Sequence, residues 1–189
     1  MLKGGSMTRE RNTKMNTRRL ALDQLVITGL FIALHFVLVR LLSILIGGVI
    51  RVDFGFLPMA LLAIMYGPLW GGGAYAAGDI LGAHLMPQGA PFYGFTLSSF
   101  LSGLIYGFVM KDRKVTWIRV IIATWLVIWL VDMGLNTYWL TIIRGMPFKA
   151  LFMIRLPKAF LYMILQPITI MAVWTFMKKR IPYVQKIAE

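Results

Sequence analysis

Residues 70–94, WGGGAYAAGDILGAHLMPQGAPFYG, decide the fold class. Glycine and alanine dominate the run up to Ala83, and small residues let a membrane helix approach its neighbours closely. One acid, Asp79, stands in this otherwise apolar helix. A carboxylate at membrane depth is expensive and faces a cavity or a partner. The helix ends near His84, and Met86–Pro91 is too rich in proline and glycine to stay helical. Irregular backbone near that depth survives only where protein buries it or where it lines a cavity. The stretch therefore predicts a polar pocket closed by a loop, inside a bundle of apolar helices.

Composition agrees with a membrane bundle. Of the 189 residues, 59% are hydrophobic and only 14% charged, against roughly 25% charged in soluble domains. Mean hydropathy is +0.74. Cysteine is absent, which excludes disulfides, thiolate nucleophiles and cysteine metal sites. His35 and His84 are too far apart in sequence to form a ligand motif, and no metal or cofactor is expected. The net charge of +13 would suggest nucleic acid in a soluble protein. Here it reads as topology, because cytoplasmic loops of membrane proteins collect Lys and Arg. No nucleic-acid partner is expected, and the polar tail ahead of Leu20 argues against a cleavable signal sequence.

Six helices are expected, each near or above the roughly 20 residues that cross a bilayer, apart from the short second. Residues 1–19 form a basic tail. Helix one runs over Leu20–Ile46 and stops at Gly47-Gly48, and Val49–Gly55 is a loop. Helix two covers Phe56–Tyr66, with Pro58 in its first turn, and Gly67-Pro68 turns the chain. Helix three spans Leu69–Leu85, and the Met86–Pro91 loop follows. Helix four spans Phe92–Met110, Lys111–Lys114 is a charged turn, and helix five spans Val115–Ile143. Arg144–Ala150 is a loop and helix six spans Leu151–Met177. Residues 20–180 are thus one six-helix membrane domain and 181–189 a second tail. An even number of spans puts both termini on one side. Fourteen of the 20 Lys and Arg lie on that side, so the termini are expected in the cytoplasm and the protein in a plasma membrane. The other six, Arg40, Arg51, Arg144, Lys149, Arg155 and Lys158, have no topological reason to lie on the far side.

The unusual polar residues gather on that outer side. Asp79 and His84 lie in the outer half of helix three and Gln88 in the loop after it. Asp132 and Asn136 lie in helix five, just before Tyr138 and Trp139. Arg155 and Lys158 begin helix six, and Arg51 lies in the first outer loop. Arg155 and Lys158 are three apart and share a helix face, which suits a carboxylate or phosphate. Asp79 or Asp132 can accept from an N–H beside an NH2, and Asn136 can donate and accept. Phe92, Tyr93, Tyr138 and Trp139 offer flat surfaces to a ring. The implied ligand is a planar heterocycle with donors at one end and negative charge at the other. Each residue also has a plainer role available. Asp79 can be a structural acid paired with Arg155 or Lys158, Asp132 a packing partner, His84 an interfacial histidine, His35 a packing residue, and the aromatics members of an interfacial belt.

No G-x-x-x-x-G-K-[ST] is present, so this chain carries no ATP-hydrolysing loop, and no G-x-S-x-G or H-E-x-x-H suggests an enzyme. Duplicated halves of the kind found in many secondary transporters are not visible. A solute binder without an engine needs a partner. Gly29 and Ala33 on helix one make a small-xxx-small step that can pack on another protein's helix.

Several motifs carry a resemblance: Phe56-Leu57-Pro58, Tyr66-Gly67-Pro68, the stretch Gly72–Asp79, Pro91–Phe95, Leu135–Trp139 and Arg155-Leu156-Pro157-Lys158. From Leu20 to Lys179 the chain resembles the substrate-binding S components of energy-coupling factor (ECF) vitamin transporters, and within them the folate-specific type. The resemblance implies a subunit that captures extracellular folate with high affinity and docks on a membrane coupling protein, the T component, served by two cytoplasmic ATPases, the A components. It places Gly29 and Ala33 against the coupling protein and lets the three outer loops cap the pocket. It also implies that Asp79 and Asn136 address the pterin and that Arg155 and Lys158 address pterin oxygen or the glutamate. Trp139, Tyr138, Phe92 and Tyr93 then sandwich the rings, with His84, Gln88 and Arg51 at the rim. An S component for riboflavin or thiamine, a stand-alone secondary transporter and an intramembrane enzyme using Asp79 and His84 remain open alternatives. On the folate reading, Asp79→Asn weakens folate binding far more than it weakens folding. Unchanged affinity in that variant contradicts the role given to Asp79.

Overall fold

In the computed structural model, residues 22–46, 50–87, 92–111, 113–181 and 184–185 are described. The first basic tail, Gly47–Val49, Gln88–Pro91 and most of the final tail lie outside them, and so does the site residue Gln88. Among the described residues, helices run over Leu22–Leu41 (α1), Phe56–Tyr66 (α2), Pro68–Leu85 (α3), Tyr93–Met110 (α4), Trp117–Arg144 (α5) and Phe148–Arg180 (α6). Of these, α1, α4, α5 and α6 are long and apolar enough to cross a membrane. Many large apolar side chains, such as Leu22, Val26, Leu69, Phe108, Ile118 and Ile164, are exposed on the bundle's outside, as expected of a surface solvated by lipid.

Two features depart from the sequence expectation. Helix one stops at Leu41, and Ile44–Ile46 (β1) pairs antiparallel with Ile50–Val52 (β2), Ile44 opposite Val52 and Ile46 opposite Ile50. The physical reason lies in the residues themselves. β-branched Ile and Val suit a pleated strand. Apolar length alone does not distinguish such a ribbon from the end of a helix. Second, α5 changes winding midway. Its backbone is α-helical over Trp117–Leu126, π-helical over Val127–Asn136 and α-helical again from Thr137. The last turn of α1, Val37–Leu41, is also π-helical. Such segments are rare and recur at functional sites.

The most extensive interface is between α3 and α4. Glycine makes it: a Cβ at Gly103 would sit 2.6 Å from the Gly72 backbone, and one at Gly72 would sit 2.9 Å from the Phe100 carbonyl. On the other side α2 is buried along nearly its whole length, Met59, Leu62 and Ala63 with no exposure at all. This central helix is short because it need not meet water at both ends. Gly67, at φ 97°, turns the chain from α2 into α3 in a backbone conformation that L side chains rarely adopt. Tyr106 of α4 donates to Gln166 of α6 within the core (3.2 Å). In contrast, only 11% of the apolar span of α1 is buried. A hydrogen bond from Trp70 Nε1 to Thr28 Oγ1 (2.7 Å) ties it to α3.

Gly103→Ala drives a methyl into the Gly72 backbone and is expected to lower stability by about 1–3 kcal/mol. At Gly73 a Cβ meets nothing within 4 Å, so Gly73→Ala leaves stability unchanged or raises it by up to about 1 kcal/mol. Unfolding in detergent, followed by circular dichroism, measures both.

Candidate functional site

The polar residues converge at the end of the bundle that carries the β-hairpin. At their centre Asp132, in the π-helical part of α5, accepts from Arg155 Nη2 on one oxygen (2.7 Å) and faces Lys158 Nζ with the other (3.3 Å). The shared face expected for Arg155 and Lys158 is thus real, and both cations point at one carboxylate. The Arg155 side chain is 5% exposed, Lys158 11% and Asp132 22%. A buried ion pair is held only if its remaining donors and acceptors find partners. Asn136 Nδ2 supplies one more, to the same Asp132 oxygen (3.3 Å). Among the described residues, three buried polar atoms of this cluster have no hydrogen-bond partner: Arg155 Nε, Arg155 Nη1 and Asn136 Oδ1. Two donors and one acceptor are therefore left open among the described residues.

The winding of α5 sets this face. Asp132, Asn136 and Trp139 follow at spacings of four and three, and Thr137 Oγ1 reaches back to the Asp132 carbonyl (3.4 Å). Trp139 donates from Nε1 to Ser98 Oγ on α4 (3.1 Å) and lies 5.6 Å from the Phe92 ring and 5.2 Å from the Tyr138 ring. Phe92 also meets Phe95 edge-on at 6.0 Å. Half a turn before Ser98, Thr96 Oγ1 donates to Asp79 Oδ2 on α3 (2.7 Å). The start of α4 therefore holds Asp79 on one side and Trp139 on the other. Asp79 is bound by a hydroxyl, and the cations that it could have paired with are taken by Asp132. Its carboxylate has more lone pairs than Thr96 fills.

The first loop closes the ring of contacts. Tyr162 of α6, whose ring lies 4.9 Å from Lys158 Nζ, exchanges hydrogen bonds with the Asp53 backbone: it receives from the N–H (2.7 Å) and donates to the carbonyl (2.8 Å). Asp53 Oδ1 accepts the Gly55 N–H (2.8 Å), and the Gly55 carbonyl lies 2.9 Å from His35 Nδ1. Buried His35 also meets the Tyr75 ring edge-on at 5.1 Å.

Not every expected residue joins the cluster. Tyr93 is 69% exposed on the first turn of α4. His84 is exposed, with Nδ1 2.8 Å from the Ile80 carbonyl of its own helix. Arg51 lies on β2, opposite Leu45. Arg40, Thr96, Ser98, Tyr75 and Tyr162 were not among the expected site residues. Arg40 donates to the Met86 carbonyl at the start of the third loop (3.1 Å). Tyr75 precedes Asp79 by one turn, which was the one signal in the sequence that could have found it. Gly29 and Ala33 are exposed on α1, and a Cβ at Gly29 would meet nothing within 4 Å.

Comparison with known proteins bears on this geometry. The family model for the ECF transporter substrate-specific component matches residues 23–174. The chain belongs to that family. It is an S component, and so a multi-pass protein of the plasma membrane. A folate transporter FolT of Clostridium novyi (strain NT) is 38% identical over 165 residues, covering 87% of this chain and 95% of that one. A folate transporter FolT of Leuconostoc mesenteroides subsp. mesenteroides is 40% identical over 129 residues, covering 67% of this chain and 65% of that one. A crystal structure of FolT bound with folic acid superposes with a TM-score of 0.73 at 32% identity, over 82% of this S component and 92% of that chain.

Removing the shared carboxylate tests the central cluster. Asp132→Ala leaves two buried cations without a counter-charge and is expected to destabilise the S component by about 3–5 kcal/mol. Thermal unfolding in detergent reads the loss. Restoration of stability by the further change of Arg155→Met and Lys158→Met confirms its electrostatic origin.

Proposed function

We propose that this S component binds folate from outside the cell and delivers it through an ECF-type importer. The observation that carries the reading is the set of unfilled buried atoms, Arg155 Nε and Nη1 beside Asn136 Oδ1. A pterin presents a carbonyl next to a ring N–H, and that edge supplies one acceptor for the arginine and one donor for the asparagine. Buried polar groups are costly when unpaired, so a ligand with the matching edge gains what the empty site lacks. Asp79 takes the amino-bearing end of the ring, and Phe92 and Trp139 stack on its faces, an arrangement worth about 0.5–1.5 kcal/mol per aromatic pair beyond area burial. Lys158 extends the positive field toward the ligand's carboxylates, and Tyr138 borders the mouth. Gln88, His84, Arg51 and Tyr93 are rim residues on this reading. The relatives named as folate transporters support the same ligand.

The membrane arrangement follows from the charge distribution. Residues 20–180 form one domain of six membrane-spanning segments, with both basic tails in the cytoplasm. The chain has no phosphate-binding loop of the ATPase type, so the energy comes from two A components through a T component. The exposed face of α1 at Gly29 and Ala33 is where the T component's helices approach, since small residues there admit close packing.

Folate added to the purified chain in detergent is expected to change tryptophan fluorescence saturably through Trp139, while thiamine and riboflavin do not. Arg155→Gln should raise the Kd for folate by about 100-fold or more, the consequence of leaving a buried hydrogen-bonding group unpaired. A folded protein that ignores folate and its reduced forms contradicts the assignment.

A further inference from the structure

A cavity of about 440 Å³ opens at the opposite end of the bundle from the polar cluster, where α4 ends at Met110, α5 begins at Trp117 and α6 approaches its end at Arg180. Three apolar helices terminate together at this level, so it lies where hydrocarbon gives way to headgroups. Its floor is apolar, with Met65 from α2 and Trp174 from α6. Its rim is cationic. Arg113 and Lys114 come from the turn before α5 and Lys178 from the last turns of α6, and all three are exposed. Arg119 donates to the Lys114 carbonyl (2.9 Å) and holds that turn in shape. Lys111, also on the wall, is already engaged with the Tyr66 carbonyl (3.1 Å). Among the described residues no acid lines the cavity.

A general excess of cytoplasmic cations explains the sign of the charge but not its assembly, from two segments distant in sequence, around one apolar cleft. We propose that this cleft binds an anionic phospholipid of the inner leaflet. Arg113, Lys114 and Lys178 hold its phosphate, and an acyl chain runs over Met65 and Trp174. The charge complementarity is the kind by which basic pockets at the cytoplasmic ends of membrane helices select anionic headgroups. A soluble anion would use the rim and leave the floor bare, whereas a phospholipid uses both. The site is separate from the polar cluster and does not depend on the folate reading.

Native mass spectrometry of the full chain, stripped of lipid and titrated with phosphatidylglycerol or phosphatidylcholine of the same acyl chains, tests the proposal. One phosphatidylglycerol should be retained at least tenfold more tightly than phosphatidylcholine. The triple variant Arg113→Gln, Lys114→Gln, Lys178→Gln should lose that preference while remaining monodisperse with unchanged unfolding temperature. The charge-conserving variant Arg113→Lys, Lys114→Arg, Lys178→Arg should keep it, which separates lost charge from lost fold. Equal retention of the two lipids by the wild-type chain overturns the proposal, as does an undiminished preference in the neutral triple variant. Binding of acyl-free glycerophosphoglycerol as tight as that of the lipid overturns the lipid source and leaves a phosphate site.

Discussion

The Asp132 carboxylate receives Arg155 on one oxygen and faces Lys158 with the other, inside a bundle that otherwise has almost nothing to offer a charge. Two cations left alone there would be buried without a counter-charge, at a cost of several kcal/mol. A lone carboxylate would be as unwelcome. The cluster carries net positive charge even when assembled, and among the described residues it keeps two guanidinium donors unfilled. That surplus is tolerable because the other two sides of the cluster are well held. Asn136 adds a hydrogen bond to the carboxylate, and Tyr162 fixes the first loop over the neighbouring turn of α6. On the proposed folate reading, stability and ligand affinity draw on the same residues. A chain built only to fold would replace all of them with apolar side chains, often at no loss.

The rest of the architecture serves to hold α5 and α6 at the distance this cluster needs. The glycine seam between α3 and α4 makes a rigid pair, and from its start two side chains reach out, Thr96 to Asp79 and Ser98 to Trp139. The π-helical winding of α5 sets the phase of Asp132, Asn136 and Trp139 relative to those partners. The weakly buried α1 is different in kind. It touches the site through His35 and Arg40 near its C-terminal end and leaves its Gly29 face open. The bundle thus combines a glycine-packed helix pair with a helix that is largely unburied.

Much of this was legible in the residues. The apolar runs located the helices α2 to α6 to within three residues at either end, because the boundaries are marked by Gly67-Pro68, the Lys111–Lys114 turn and the Lys178–Arg180 cations. The i, i+3 spacing of Arg155 and Lys158 announced a shared face. The partner of those cations was not legible: Asp79 and Asp132 are both single acids in apolar helices, and only the three-dimensional phase of α5 selects Asp132. A π-helical segment leaves no periodic mark strong enough to read in one sequence. The contacts of Thr96 and Ser98 were not legible for another reason, since hydroxyl residues are common in membrane helices and most bond to their own backbone, as Thr124 and Thr169 do here. The β-hairpin was hidden because Ile44–Ile46 is as apolar as the helix before it.

A structure of the chain with folic acid bound, at a resolution that separates ring nitrogens from oxygens by their contacts, tests the role of the Arg155–Asn136 pair. A ligand oxygen is expected within hydrogen-bond distance of Arg155 Nε or Nη1, with a ligand N–H on Asn136 Oδ1 and Asp132 still joined to both cations. A ligand seated elsewhere, with both of those arginine nitrogens still without a partner, would contradict it.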